Sequence, residues 1–279
     1  MKLRLYHHPD GARIAYREAG TGPPLALLHS RGLSHREWEP VVDELSYRFR
    51  VVLPDLPLHG DSEDRPRHPY TPEWLTSVLV GFLLDACGPH PLVAGHDAGA
   101  LLAMRAIADG SLRPSKLVLM PSALHRRPQR STFERVGRVA VQAAVVPGCD
   151  RLLSYAGALA VRPKRGDRMS VTGAPGARDL VRHAVMDLGG NANRARSWAK
   201  AAKRWPHGAQ RDLLDAYPAM DFPVLLLWAD DDAAHPLAIA EETLDLLPDG
   251  QLRVLPRTGF LIAYDDPVGL ARELVAFCG

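Results

Sequence analysis

The sequence predicts the α/β class, a mostly parallel sheet covered by helices, and three observations carry that expectation. Strand-like and helix-like segments alternate from about residue 25, as crossover connections between parallel strands require. Short apolar runs such as Leu25-Ala26-Leu27-Leu28 and Val51-Val52-Leu53 suit strands buried on both faces. A chain of 279 residues with 46% hydrophobic content is also long enough to bury a large core.

The elements follow in order. The opening reads as a hairpin, Lys2 to Tyr6 and Arg13 to Glu18, turned through His8-Pro9-Asp10-Gly11. After the strand at Leu25 to Leu28, the segment Ser34 to Phe49 starts with an N-cap serine and spaces Trp38, Val41, Val42 and Leu45 at helical intervals. Val51 to Leu53 is the next strand, Pro72 to Ala86 a helix, Leu92 to Ala94 a strand, Ala100 to Ala108 a helix and Lys116 to Met120 a strand. Between residues 123 and 217 the alternation stops. Helical stretches around 133–145, 178–187 and 192–204 stand there without a strand, which predicts an all-helical insertion. Strand character returns at Val224 to Trp228, followed by a helix from Leu237 to Leu247, a strand from Leu252 to Leu255 and a closing helix from Pro267 to Phe277. Pro267 fits a first helical turn. The expected organisation is a core of residues 1–122 and 218–279 with a helical cap of residues 123–217.

Composition narrows the function classes. The absence of an apolar run of eighteen residues, and an N-terminus without a signal-peptide pattern, lead us to expect a cytoplasmic chain with no membrane span. Cys87, Cys149 and Cys278 lie far apart, with neither CxxC spacing nor a neighbouring histidine cluster, so neither a disulfide framework nor a metal site is expected. No glycine loop of the dinucleotide or Walker type occurs, and no cofactor is expected. Net charge is only +2, yet residues 123–221 hold 18 Lys and Arg against 8 Asp and Glu, while the remainder holds 16 against 24. Solvated basic helix faces account for this imbalance; attraction of an anionic small-molecule substrate is the functional alternative. Nucleic acid is not an expected partner, since aromatics do not interleave the basic residues. Oligomeric state leaves no mark in the sequence.

The sharpest local pattern is Leu92-Val93-Ala94-Gly95-His96-Asp97-Ala98-Gly99-Ala100, an apolar strand running through a small-residue turn into a helix. In a Gly-x-nucleophile-x-Gly elbow, glycines let strand and helix approach closely enough to hold the middle side chain in a strained turn. Asp97 occupies that middle position. Three further segments come in a matching order: His29-Ser30-Arg31-Gly32 after the first buried strand, Asp55 to Ser62, and Trp228 to Pro236 at the end of a later strand.

With these segments the chain resembles the α/β-hydrolase superfamily over nearly its whole length, and within it the haloalkane and fluoroacetate dehalogenases and epoxide hydrolases, which place an aspartate at the elbow. The resemblance implies an α/β-hydrolase fold, Asp97 as nucleophile, and oxyanion donors from Ala98 and the His29-Ser30-Arg31 loop. It also implies Asp232 as the triad acid and a cap over the site. A carboxylate nucleophile displaces a leaving group from saturated carbon or opens an epoxide, leaving an ester that a histidine-activated water must hydrolyse. Thr258 to Pro267 aligns on the family's Gly-His-Phe/Trp-x-x-x-Glu-x-Pro pattern and puts Phe260 at the histidine. No histidine follows His235. Ser30 stands where the family has glycine, Leu58 where its Asp-x-x-Gly-x-Gly-x-Ser turn has the first glycine, and Ala98 where dehalogenases carry Trp or Arg.

Three histidines are candidate replacement bases: His235 beside Asp232, His125 where the cap begins, and His29 in the oxyanion loop. Each also reads as a hydrogen-bonded structural group. His96 is expected to turn away from the site. Arg31 reads three ways: keeping Asp97 ionised, binding an anionic substrate group, or lying on the surface. Cap residues Tyr155, Trp198, Trp205 and Tyr217 read as packing aromatics or as pocket lining. The function expected is a hydrolase acting on a carbon–halogen, epoxide or ester bond, atypical at Phe260. The alternatives are a lyase, isomerase or cyclase with Asp97 as general base, a ligand-binding pseudoenzyme, and an engineered His-to-Phe variant. As the sequence stands, ordinary multiple-turnover dehalogenase or epoxide hydrolase activity is not expected, and Phe260→His is the single change expected to create some.

Overall fold

The computed structural model describes residues 1–128, 169–189, 192–205 and 208–279. Eight strands form one sheet: β1 (Lys2–His7), β2 (Arg13–Ala19), β3 (Pro24–Leu28), β4 (Arg50–Pro54), β5 (Leu92–Gly95), β6 (Lys116–Leu119), β7 (Val224–Ala229) and β8 (Gly250–Leu255). Their spatial order is β1-β2-β4-β3-β5-β6-β7-β8. The first hairpin is antiparallel and joins β4 antiparallel; from β4 through β3 to β8 every pairing is parallel. The chain reverses its direction of travel at β3, so the loops after β3 and β5 meet at the carboxyl edge, where open α/β sheets place their ligand sites.

Period-two alternation within the buried strands makes two cores, one on each face. Ala26, Leu28, Val93, Leu117, Leu119, Leu226 and Trp228 face one side with α2 (Pro72–Cys87) and α3 (Ala98–Ala108). Leu25, Leu27, Ala94, Val118, Leu225 and Leu227 face the other, against α1 (Glu39–Ser46) and the C-terminal helix Pro267–Cys278. A third, small cluster of Leu33, Ala177, Leu180 and Leu261 packs against Phe260 and Tyr264.

The sequence expectations differ from the structure mainly at element ends. The single helix expected over 34–49 is a 3-10 turn, His35–Trp38, followed by α1. Ser34 does cap it, accepting from the Arg36 N–H, but Pro40 supplies no N–H to an α-helical turn crossing Glu39. The helix expected to run to Leu247 is α6 (Leu237–Leu244), and α3 begins at Ala98 rather than Ala100. Within 123–217 the described elements are α4 (Pro175–Gly189), α5 (Ala192–Arg204) and two 3-10 turns, Arg211–Leu213 and Tyr217–Ala219. The helix expected at 133–145 lies outside the described residues, as do Cys149 and Tyr155. A short helix α7 (Ile262–Asp265) precedes the C-terminal helix, α8.

Two sets of hydrogen bonds tie α5 and the segment before α4 to the carboxyl edge. On α5, Ser197 Oγ donates to the Asp64 carbonyl at 2.7 Å and Arg194 Nη2 to the Gly60 carbonyl at 2.9 Å. Asp265 accepts from Ser170 Oγ at 2.6 Å, from the Thr172 N–H at 3.1 Å and from the Gly259 N–H at 2.9 Å, fastening the segment before α4 to the loop that carries Phe260. Among the described residues no helix is long and apolar enough to cross a membrane. Cys87 and Cys278 are buried free thiols, and burial pushes both up to about 12.

Candidate active site

Asp97 is the N-cap of α3 with φ 43° and ψ −105°, a backbone conformation that L residues rarely adopt. Close packing leaves it little alternative. A Cβ on Gly95 would lie 2.6 Å from Ala100 N, and one on Gly99 would lie 2.5 Å from the Leu28 carbonyl oxygen. Two glycines therefore let β5 and α3 meet at the sheet edge, and the residue between them takes up strain on the order of 1–3 kcal/mol. The Asp97 N–H donates to the Pro121 carbonyl at 3.0 Å, and Ser122 Oγ donates to the Asp97 carbonyl at 3.0 Å.

The carboxylate faces the loop after β3. Asp97 Oδ2 accepts the Arg31 N–H at 3.0 Å. Burial works to raise the Asp97 pKa, but the Arg31 guanidinium, then His235, the Arg31 N–H and His96 outweigh it and hold the carboxyl below its ordinary value. The Arg31 guanidinium itself lies over the Trp205 ring, 4.9 Å from its centroid. Ala98 opens α3, and the amides of a helix's first turn have no partner within the helix.

Within electrostatic reach of Asp97, His235 forms a pair with a carboxylate. His235 Nδ1 donates to Asp232 Oδ2 at 2.8 Å, while Asp232 Oδ1 accepts the Ala234 N–H at 2.9 Å. Both residues are buried, and Trp228 Nε1 donates to the His235 carbonyl at 2.8 Å, pinning the turn to the sheet. Against the opposing effect of burial, the His235 hydrogen bond and its charge hold Asp232 ionised below its ordinary pKa. Phe260 stacks on His235 with centroids 5.8 Å apart and planes 28° apart, and its ring is 4.5 Å from that of His96.

His96 departs from the sequence expectation. Rather than turning away, it lies against Phe260, within electrostatic reach of both Asp97 and Asp232, and its Nδ1 donates to Glu37 Oε1. Sequence reasoning missed Glu37, and the one visible hint was the adjoining departure from glycine at Ser30. Two of the candidate bases are otherwise engaged. His29 Nδ1 donates to the Ser30 carbonyl at 2.8 Å and its Nε2 accepts the Leu56 N–H at 2.9 Å, so both ring nitrogens brace loops. His125 Nδ1 lies 3.2 Å from Tyr217 Oη, and its Nε2 is 3.4 Å from Glu242. Trp198 packs edge-on against His59 at 4.8 Å, and His59 Nε2 accepts the Gly32 N–H at 2.9 Å. Among the described residues no group of three or more His, Cys, Asp or Glu is placed to hold a metal ion.

Residues 25–273 match the model of the Alpha/beta hydrolase family. The chain belongs to this family. It is 24% identical to the pimeloyl-[acyl-carrier protein] methyl ester esterase of Vibrio vulnificus over 95% of this chain and 98% of that protein. A shorter stretch, 37% of each chain, is 42% identical to the soluble epoxide hydrolase of a Corynebacterium species. Among solved structures, an alpha/beta hydrolase fold protein from Burkholderia ambifaria superposes with TM-score 0.76 at 26% identity, covering 99% of this chain and 98% of that one. The relatives of this alpha/beta hydrolase thus include enzymes named for ester and for epoxide hydrolysis.

Proposed function

We propose that this alpha/beta hydrolase cleaves a small organic electrophile, a carbon–halogen, epoxide or ester bond, with Asp97 as nucleophile and His235, oriented by Asp232, as general base. The observation that supports the reading is the pair of groups acting on Asp97: the Arg31 N–H donates to Oδ2, and His235, hydrogen-bonded to Asp232, lies within electrostatic reach. Phe260 takes the position at which the family pattern has histidine, and the base comes instead from three residues beyond the acid.

In the first step Asp97 attacks carbon. A carbon–oxygen bond forms to the carboxylate while the leaving group departs with its electron pair, as halide or as an epoxide oxygen that takes a proton from solvent water. With an ester substrate the attack falls on the acyl carbon, giving an Asp97 anhydride and an alkoxide protonated in the same way. In the second step water attacks the carbonyl carbon of the Asp97 ester and gives its proton to His235 Nε2, the nitrogen not committed to Asp232. Charge developing on the carbonyl oxygen falls on the amide of Arg31, with the Ala98 amide as second donor. Collapse of the adduct passes the His235 proton to the departing oxygen, releasing alcohol (or carboxylic acid from the anhydride), and Asp97 loses its remaining proton to solvent to return to the carboxylate. The sequence as it stands leads to an expectation of stalled turnover, with His235 as a candidate base; the hydrogen bond from His235 to Asp232 supports the reading in which turnover proceeds.

The depressed pKa of Asp97 speaks against its use as a general base in a lyase or isomerase, because a carboxylate held ionised accepts protons poorly. Arg31 adds a substrate preference. Its guanidinium is exposed, stacked on Trp205 and beside the nucleophile, which favours electrophiles carrying a carboxylate. The described helix α5, within the cap read over residues 123–217, carries Trp198 against His59, and Trp205 follows it under the Arg31 guanidinium. The test is steady-state hydrolysis of 1-bromobutane, bromoacetate and styrene oxide by the unaltered protein and by Asp97→Asn and His235→Ala. Turnover of at least one compound, abolished by both substitutions, is the expected result; turnover indifferent to both would overturn the reading.

A further inference from the structure

Glu37 sits in the 3-10 turn before α1, 1% exposed, and both its carboxylate oxygens are in use. Oε2 accepts the Ser30 N–H and Ser30 Oγ–H, each at 2.7 Å, and Oε1 accepts the hydrogen bond from His96 Nδ1. Ser30 immediately precedes Arg31, whose amide meets Asp97, and His96 immediately precedes Asp97 itself. One buried carboxylate thus bridges the residue before the oxyanion donor and the residue before the nucleophile. We propose that Glu37 is a positioning residue for the reaction, which sets the separation of the Arg31 amide and the Asp97 carboxylate through Ser30 and His96.

This inference rests on the reading of Asp97 as nucleophile. A carboxylate withdrawn from water needs several donors, and it leaves an expensive orphan if they move away. Glu37 therefore resists any separation of the two loops. Ser30 gives the site a use for its departure from glycine, because the hydroxyl is the extra donor that a glycine lacks. The His96 ring also meets Phe260 at 4.5 Å and Trp38 at 6.3 Å, and its Nε2 is buried without a hydrogen-bond partner among the described residues. The charged groups facing His96 are Glu37, Asp97 and Asp232; those facing Asp97 are Arg31, His235 and His96 itself. Removing the Glu37 charge leaves His96 with less reason to stay protonated, and Asp97 then loses a neighbouring positive charge.

The experiment uses Glu37→Gln, which keeps shape and an acceptor for Ser30, and Ser30→Gly, which keeps the backbone bond and removes the hydroxyl. Two readouts are taken on the full chain. The first is the single-turnover rate of Asp97 ester formation with styrene oxide, followed by mass in a His235→Ala background. It is expected to fall about 10–100-fold in Glu37→Gln. The apparent affinity for styrene oxide stays within about twofold, and the acid limb of the rate profile moves to higher pH. The second is hydrogen exchange at the Arg31 amide, expected to quicken about tenfold in Glu37→Gln and less in Ser30→Gly, with amides of β7 unaffected. Unchanged Arg31 exchange in both variants overturns the inference, as does a rate loss carried wholly by weaker probe affinity. If the His235→Ala protein with Glu37 intact forms no Asp97 ester, the nucleophile reading fails by itself. The exchange measurement still decides whether Glu37 ties the two loops.

Discussion

In the proposed reaction Asp97 is the attacking carboxylate, and the protection of its ionisation has a readable sign. Its folded pKa lies below the ordinary 3.8, so the attacking form is complete above that value and is lost only as pH falls through the depressed one. Arg31→Met keeps the backbone N–H but removes the charge that contributes most to the depression. The acid limb of ester formation should therefore move to higher pH, and bromoacetate should lose more of its rate than 1-bromobutane. A pH profile of both probes checks this; an unmoved limb would place the stabilisation elsewhere. At the base position, Phe260→His in a His235→Ala background should recover part of the lost hydrolysis, because residue 260 stacks directly on residue 235. Recovery below about a tenth of the unaltered rate is expected from a base without its own orienting acid. No recovery at all would show that residue 260 does not face the ester.

At the scale of elements, the elbow depends on glycine for space, not for freedom of rotation. Gly99→Ala would press a Cβ into the Leu28 backbone at 2.5 Å, which should cost about 3 kcal/mol in urea unfolding. Leu58 presents the reverse case, a large residue at φ 79° where the related turn has glycine, with its side chain 3% exposed in the core. The left-handed backbone costs roughly 1–2 kcal/mol, and burial of the leucine returns about as much. Leu58→Gly should thus shift stability by less than about 1 kcal/mol, whereas Leu58→Ala, which keeps the strain and loses the burial, should cost about 2 kcal/mol or more. Equal losses in the two would remove the strain from the account. These elements also mark what a sequence discloses. The alternation of apolar runs and the Gly95–Gly99 spacing announce the sheet and the turn at Asp97, since both are local patterns fixed by steric period. The His235–Asp232 pair was legible because it lies within one loop. Glu37 and His96 are 59 residues apart, and the hydrogen bond between them forms only when β3 and β5 lie side by side, so no local pattern could announce it. The split of the helix at Glu39-Pro40 was readable in principle from the proline.

The whole molecule adds a dependence on acid that belongs to the fold and not to the reaction. Asp55 is fully buried after β4, accepting from the His35 N–H and from His35 Nδ1, each at 2.8 Å, and from the Asp61 N–H at 3.0 Å. Burial opposes its ionisation, but the His35 hydrogen bond and charge prevail and set it at about 2 against the ordinary 3.8. Between those values the unfolded chain binds the extra proton. The stability is therefore fully present above 3.8 and lost as pH falls through about 2, a contribution of roughly 2 kcal/mol. Asp55→Asn should lower stability at neutral pH by about that amount or more, with the gap from the unaltered protein narrowing as pH falls; a constant gap would contradict it.

In the proposed reaction the carboxyl-edge loops hold Asp97 as nucleophile with His235, paired to Asp232, within its electrostatic reach. The most direct measurement is the intact mass of His235→Ala after incubation with styrene oxide, followed by peptide mapping. A stable adduct on Asp97, accumulating in His235→Ala and not in the unaltered protein, is the predicted result. An adduct that never forms, or one that maps to a residue other than Asp97, would contradict the assignment of Asp97 as nucleophile and His235 as the base that frees it.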